Sequence, residues 1–290
     1  MTKAYNRDTK QIIEIKHVGE KPLKTIYNNK LLLKIATSKP ISQLYGIYNK
    51  TRISKLKIKK FITKNNIDMN LYEEKEYKTF NEFFIRKLKK INIEKENDIL
   101  ISPCNSKLSA YKIKDNLKIN IKNIEYTLDE LFDNENLEQY KNGYILIFRL
   151  AVDDYHRFHY IDDGKTLKTK TIKGKYHTVS DSSKEYKIYK ENHREYSILQ
   201  TKNFGQIIYM EVGAMMIGKI INYNKKEFKK GEEKGYFLPG ASTVVIVINN
   251  IELDKDIIEN SKNNIETIVH VGEKIGKCVQ KYWNIIKIIL

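Results

Sequence analysis

Apolar residues are spaced in two different ways along this 290-residue chain. In "KLLLKIATSKPISQLYGIYNKTRISKLKIKKFITKNN", residues 30–66, they recur three and four apart between lysines. That spacing puts apolar side chains on one stripe of a helix and lysines on the rest, so it predicts basic amphipathic helices, broken near Pro40. "TFNEFFIRKLKKI", from Thr79, predicts a further helix with Asn81 as its N-cap. Residues 1–25 are short alternating segments and predict strand and turn. From about residue 99 the apolar residues come in short runs, "DILISP", "GYILIFRLAV", "GQIIYMEVGAMMIGKII" and "STVVIVI", divided by turn signals such as "DDG" and "KKGEEKGY". Such β-branched runs predict buried strands. The expected fold class is therefore α+β: a basic, mainly helical region over residues 1–98 packed on a mostly antiparallel β region over residues 99–290.

The length suffices for a sizeable core, and 41% apolar residues with twenty Tyr exclude a disordered chain. The net charge is +17, and residues 1–70, with sixteen Lys or Arg against four Asp or Glu, carry +12 of it. A local basic region suits an anionic membrane surface, a nucleic acid, or simply a solvated helix face. No nucleic-acid fold motif or interleaved aromatic platform accompanies it, so no nucleic-acid partner is expected. Cys104 and Cys278 have neither CxxC nor Cys/His spacing, which argues against structural zinc and for a reducing compartment. The opening "MTKAYNRDTK" is too polar for a signal peptide, and no apolar run reaches the roughly 18 residues that span a bilayer. Contact with a membrane would therefore be peripheral.

Three stretches carry candidate chemistry. "DDYHRFHYIDDG", residues 153–164, sets His156 and His159 three apart after an apolar strand. Histidine is the natural general base near neutral pH, but an HxxH pair also fits a metal or an ordinary polar loop. "ISPCNSKL", residues 101–108, marks a turn at Pro103 with Asn105 as a turn residue. "PGASTVVIVI", residues 239–248, places Gly240, Ala241, Ser242 and Thr243 at the mouth of a buried strand. A serine becomes a nucleophile only with a base within hydrogen-bond reach, and the sequence leaves open whether either histidine meets Ser242.

"FNEFFIRKL", "SPCNSK", "DYHRFH", "EVGAMMIG" and "KKGEEKGYFLPGAST" follow one another in the order and approximate spacing of the phosphatidylserine decarboxylase family. The chain resembles its clostridial-type members from "YNRDTK" to "VGEKIG", nearly full length. The resemblance implies a proenzyme that cuts itself between Ala241 and Ser242 into a β subunit, residues 1–241, and an α subunit, residues 242–290. Ser242 would become a covalent pyruvoyl group, the only cofactor implied, with no metal. The activity implied is conversion of phosphatidylserine to phosphatidylethanolamine and CO2. The resemblance assigns His159 to take the Ser242 Oγ proton and His156 to the proton transfer of decarboxylation, and places Asn105 where the family has the Asp that supports the triad histidine. Partners implied are phosphatidylserine, an anionic membrane surface on its cytoplasmic face and the chain's own cleaved halves, with a second copy of the chain a further candidate.

The chain departs from the family pattern at Asn105, where the family has Asp, at Ala241, where it has Gly, and in "HTVSDSSK", residues 177–184, where relatives have Asn-Pro. Asn can hydrogen-bond to an imidazole but cannot stabilise its cation with a full charge. Ala adopts a positive φ only with strain. These departures frame an alternative, an unprocessed or degenerate paralogue that binds anionic lipid.

Overall fold

The computed structural model describes residues 2–15, 20–121, 124–132, 135–178, 186–214, 219–240 and 242–279; Ala241 and most of "HTVSDSSK" lie outside them. The run "STVVIVI" forms the strand Ser242–Ile248, and all seven of its residues are buried. An apolar run without polar alternation needs cover on both faces, and the centre of a large sheet supplies it. The strand lies between Gln206–Gly213 and Tyr144–Leu150 in a ten-stranded sheet, antiparallel to both. Outward from Gln206–Gly213 run Arg194–Thr201, Gly164–Ile172 and Glu227–Phe228; outward from Tyr144–Leu150 run Ser106–Lys112, Glu266–Val269, Thr2–Asn6 and Gln11–Ile15. Only Thr2–Asn6 and Glu266–Val269 pair in parallel among these strands. The fold is α+β and mostly antiparallel, as the sequence pattern predicts.

A second sheet of Ile220–Asn222, Glu233–Phe237 and Arg157–His159 covers one face of the first. Phe158 packs from it onto Tyr209 of the large sheet, ring centroids 6.3 Å apart, and against Phe237 at 4.9 Å. A Cβ on Gly235 would lie 2.0 Å from the Ile221 carbonyl oxygen and 2.8 Å from the Phe158 ring, so only glycine lets these strands and this ring close up. Lys234 Nζ meets Glu211 Oε1 at 2.7 Å in the same layer, both side chains buried. Breaking such a pair by removing one partner typically costs about 3–5 kcal/mol.

The N-terminal region is helical, with Glu20–Tyr27, Lys30–Ala36, Lys39–Lys50, Ile58–Asn65 and Phe80–Phe84. Phe80, Phe83 and Phe84 are buried in a small cluster with Ile58, each contributing about 1.5–3 kcal/mol by transfer from water. Many other apolar residues here stay in solvent: Leu31, Leu44, Ile47, Ile53 and Leu56 are 61–83% exposed. Three local readings differ from the pattern. The helix expected over "TFNEFFIRKLKKI" ends at Phe84. Glu20–Tyr27 is a helix with Pro22 in its first turn, where strand and turn were expected; proline is tolerated there because first-turn N–H groups have no intrahelical partner. Thr79, not Asn81, caps Phe80–Phe84, its hydroxyl accepting from Glu82 N; Asn81 lies two residues too late and is buried inside the helix. The N-terminal segment is tied to the β region by Arg7, which binds Asp254, Asp256 and Glu273 at 2.7–2.8 Å.

Candidate active site

Ser242 begins the central strand and is fully buried. The chain reaches it through Gly240, at φ 147°, a conformation that side chains rarely adopt. In register Ser242 faces Gly213 on one side and Leu150 on the other, and Val244 faces Glu211 and Phe148. Directly opposed residues share a face, so Ser242 and Glu211 look toward the small covering sheet that supplies Lys234.

The same two-residue period separates the histidines. Phe158 points at the large sheet; His156 and Phe158 therefore share a side, and Arg157 and His159 point away. Accordingly His156 Nδ1 lies 3.5 Å from Ser242 Oγ. Its ring is fully buried and stacked on Phe84, centroids 4.0 Å apart at 13°. Burial holds its pKa well below the ordinary 6.5, helped by the nearby cations Arg86 and Lys107. The imidazole is thus neutral at pH 7, as a proton acceptor must be. Its Nε2 has no partner among the described residues, so no carboxylate stands behind it.

His159 is engaged elsewhere. Its Nδ1 is 3.0 Å from the Gly231 carbonyl and its Nε2 is 3.2 Å from the Tyr155 hydroxyl. A carbonyl only accepts, so Nδ1 carries the proton and Nε2 accepts from Tyr155. Burial lowers its pKa too, partly offset by the Gly231 carbonyl. Asn105 turns its Oδ1 to Val271 N at 2.8 Å and hydrogen-bonds to neither histidine among the described residues. Its segment touches His159 through the backbone, the Pro103 carbonyl accepting from His159 N at 2.9 Å. Of the expected site residues, the structure brings Ser242 and His156 together and leaves His159 and Asn105 apart from them.

Asp153 and Asp154 of the histidine motif, Lys107 and Phe84 complete the neighbourhood. Lys107 Nζ binds both Asp154 carboxylate oxygens at 2.7 Å, and Asp154 Oδ2 also accepts from Ala151 N, fixing the loop that enters His156. Asp153 is raised above the usual carboxylate range by burial and by Asp154. Phe84 carried no chemical signal of its own, yet it forms the floor under His156. Cys104 and Cys278 are both free. No group of three or more His, Cys, Asp or Glu among the described residues could hold a metal, and no helix among them is long and apolar enough to cross a membrane.

A serine at a strand mouth, fed by a left-handed glycine and met by a buried neutral imidazole, has the parts for an intramolecular attack on the preceding carbonyl. Comparison with known proteins identifies the family. The sequence model of the family described as phosphatidylserine decarboxylase matches residues 80–277. The phosphatidylserine decarboxylase proenzyme 2 of Clostridium acetobutylicum is 50% identical over 283 residues, covering 94% of this chain and 97% of that protein. The phosphatidylserine decarboxylase proenzyme of Clostridium tetani is 46% identical, covering 96% and 98%, and that of Fusobacterium nucleatum 41%, covering 93% and 95%. With a family match over well over half its length and relatives this similar from end to end, the chain belongs to the phosphatidylserine decarboxylase family.

Proposed function

We propose that this chain is a phosphatidylserine decarboxylase proenzyme that cleaves itself between Ala241 and Ser242. The observation that carries the reading is the 3.5 Å approach of His156 Nδ1 to Ser242 Oγ in a fully buried setting. Ser242 Oγ attacks the Ala241 carbonyl carbon as Nδ1 takes its proton; a C–O bond forms, the C–N bond breaks as that proton passes to the freed Ser242 nitrogen, and the amide becomes an ester. β-Elimination then releases the Ala241 carboxylate and leaves a dehydroalanine at position 242, which loses ammonia to water and becomes a pyruvoyl group. The pyruvoyl group supplies a ketone that condenses with the substrate amine and acts as electron sink for loss of CO2.

The resemblance assigned the Ser242 proton to His159; the geometry supports His156. Arg86 and Lys107 keep His156 neutral but also disfavour the imidazolium that forms on proton uptake; Asp154 pairs with Lys107, and no carboxylate among the described residues bonds to the imidazole itself. Self-cleavage is therefore expected to be slow, which a reaction needed once per molecule tolerates. After cleavage the same imidazole stands beside the new chain end, placed to hold or return a proton there.

The substrate reading extends to the membrane. Exposed Leu31, Leu44, Ile47, Ile53 and Leu56 are interspersed with lysines on the helices of residues 30–66. This pattern suits a peripheral site on the cytoplasmic face, with apolar side chains in the interface and lysines on anionic headgroups. A time course of intact mass tests the proposal: the wild-type chain should yield a fragment beginning at residue 242 without a free amino terminus, and Ser242→Ala should yield none. Failure of the fragment to form would favour a paralogue that binds lipid without processing.

A further inference from the structure

Arg86 is a buried cation without an anion. It is 2% exposed, and no carboxylate among the described residues pairs with it. Its Nη2 reaches the Asp153 carbonyl at 2.8 Å, the Tyr72 hydroxyl at 3.2 Å and the Asp154 carbonyl at 3.4 Å. The guanidinium lies over the rings of Tyr72 and Phe83, 4.4 and 4.9 Å from their centroids. Nε and Nη1 have no acceptor among the described residues. Ring faces offset part of the charge but accept no such bonds well, and buried donors on a charged group are costly to leave unmade. Asp153 gives Arg86 its backbone carbonyl, not its carboxylate.

Arg86 forms part of the wall of a cavity of about 190 Å³, together with Arg157, Lys75 and Lys87 against Glu73 and Glu82. Arg157 is already committed, to Glu233 at 2.5 Å and to the Ile85 carbonyl. The excess positive charge therefore comes from Arg86 and the two lysines. Arg157 also locates the cavity: it points away from Ser242, so the space lies behind the histidine strand and not over the reacting atoms. An occupant there would not be the carboxylate that leaves as CO2.

We propose that this cavity binds a phosphate-type oxyanion through Nε and Nη1 of Arg86, and that its source is the headgroup phosphodiester of an anionic lipid. A tetrahedral anion offers acceptors in several directions, which suits donors arriving from Arg86 and from the lysines at the rim. Arg86 also holds the carbonyls of Asp153 and Asp154, three and two residues before His156. An anion at this point would thus brace the loop that aims the base. The lipid source rests on the decarboxylase reading; the anion site does not.

The test uses full-length Ser242→Ala protein, which cannot process, so its outcome is independent of self-cleavage. The ¹⁵N–¹H signal of Arg86 Nε is followed while inorganic phosphate, or dihexanoyl phosphatidylglycerol below its micelle concentration, is added. Saturable shifts with both, and displacement of phosphate by the lipid, are expected. In Arg86→Lys, which keeps the charge but loses these donors, affinity is read from the backbone amide signals of Tyr77, Glu82 and Ile85 in the cavity wall and should weaken about tenfold for both. A shift with phosphate alone would overturn the lipid source. No saturable shift with either, or unchanged affinity in folded Arg86→Lys, would overturn the site.

Discussion

Replacing Phe84 with leucine tests whether the floor under His156 matters to the chemistry. Phe84 is 1% exposed and lies flat against the imidazole, centroids 4.0 Å apart. Leucine keeps most of the apolar volume but removes the ring face. Stacked aromatic pairs contribute about 0.5–1.5 kcal/mol beyond area burial. If that energy holds Nδ1 toward Ser242 Oγ, its loss lowers the population of the aligned rotamer, and the rate of a single-turnover cleavage, by roughly two- to tenfold. Stability should fall by about 1–2 kcal/mol through the lost ring contacts and the small cavity left behind. The assay is a quenched time course of intact mass beside a denaturant melt. An unchanged cleavage rate in a protein with the expected loss of stability would refute the claim that stacking aims the base.

Acidification tests the buried imidazoles. His156, His159, His177 and His193 all have folded pKa values below the ordinary 6.5, burial being the first cause in each. The unfolded chain then takes up protons that the folded chain refuses, so their contribution is full above pH 6.5 and is lost as pH falls below it. Melting temperature should fall from pH 7 to pH 5, less steeply in His156→Gln; equal slopes would contradict the assignment. Asn105→Asp keeps an acceptor for Val271 N and adds charge on the His159 side, so with His156 as base maturation should stay within about threefold; marked acceleration would return the role to His159. Ile53→Asp with Leu56→Asp removes side chains 68% and 83% exposed and should weaken binding to phosphatidylserine vesicles at least about tenfold, leaving the melt unchanged; equal flotation would remove this stretch from the membrane account.

The features legible in the sequence were those encoded by neighbouring residues. "STVVIVI" announced a strand covered on both faces, and the lysine-spaced apolar residues of 30–66 announced helices with an apolar stripe. What the sequence hid depends on distant partners. Residues 1–25 read only as short strand and turn segments, and the place of Thr2–Asn6 in the sheet comes from residues 266–269. The helix Phe80–Phe84 was visible, but not that its last phenylalanine lies under a histidine 72 positions later. The HxxH motif left open a general base, a metal pair or a polar loop; a strand turns residues three apart to opposite faces, and the motif does not reveal its own backbone conformation. Arg86 carried no reading of its own in the sequence, because its burial and missing partners depend on the fold.

The central claim is that His156 activates Ser242 for self-cleavage, and comparing His156→Ala with His159→Ala by intact mass tests it most directly. Both variants are incubated beside the wild-type chain and checked for a cooperative melt. The account predicts that His156→Ala stays a single chain while His159→Ala still releases a fragment beginning at residue 242 without a free amino terminus. Cleavage in folded His156→Ala together with an uncleaved, folded His159→Ala would contradict it.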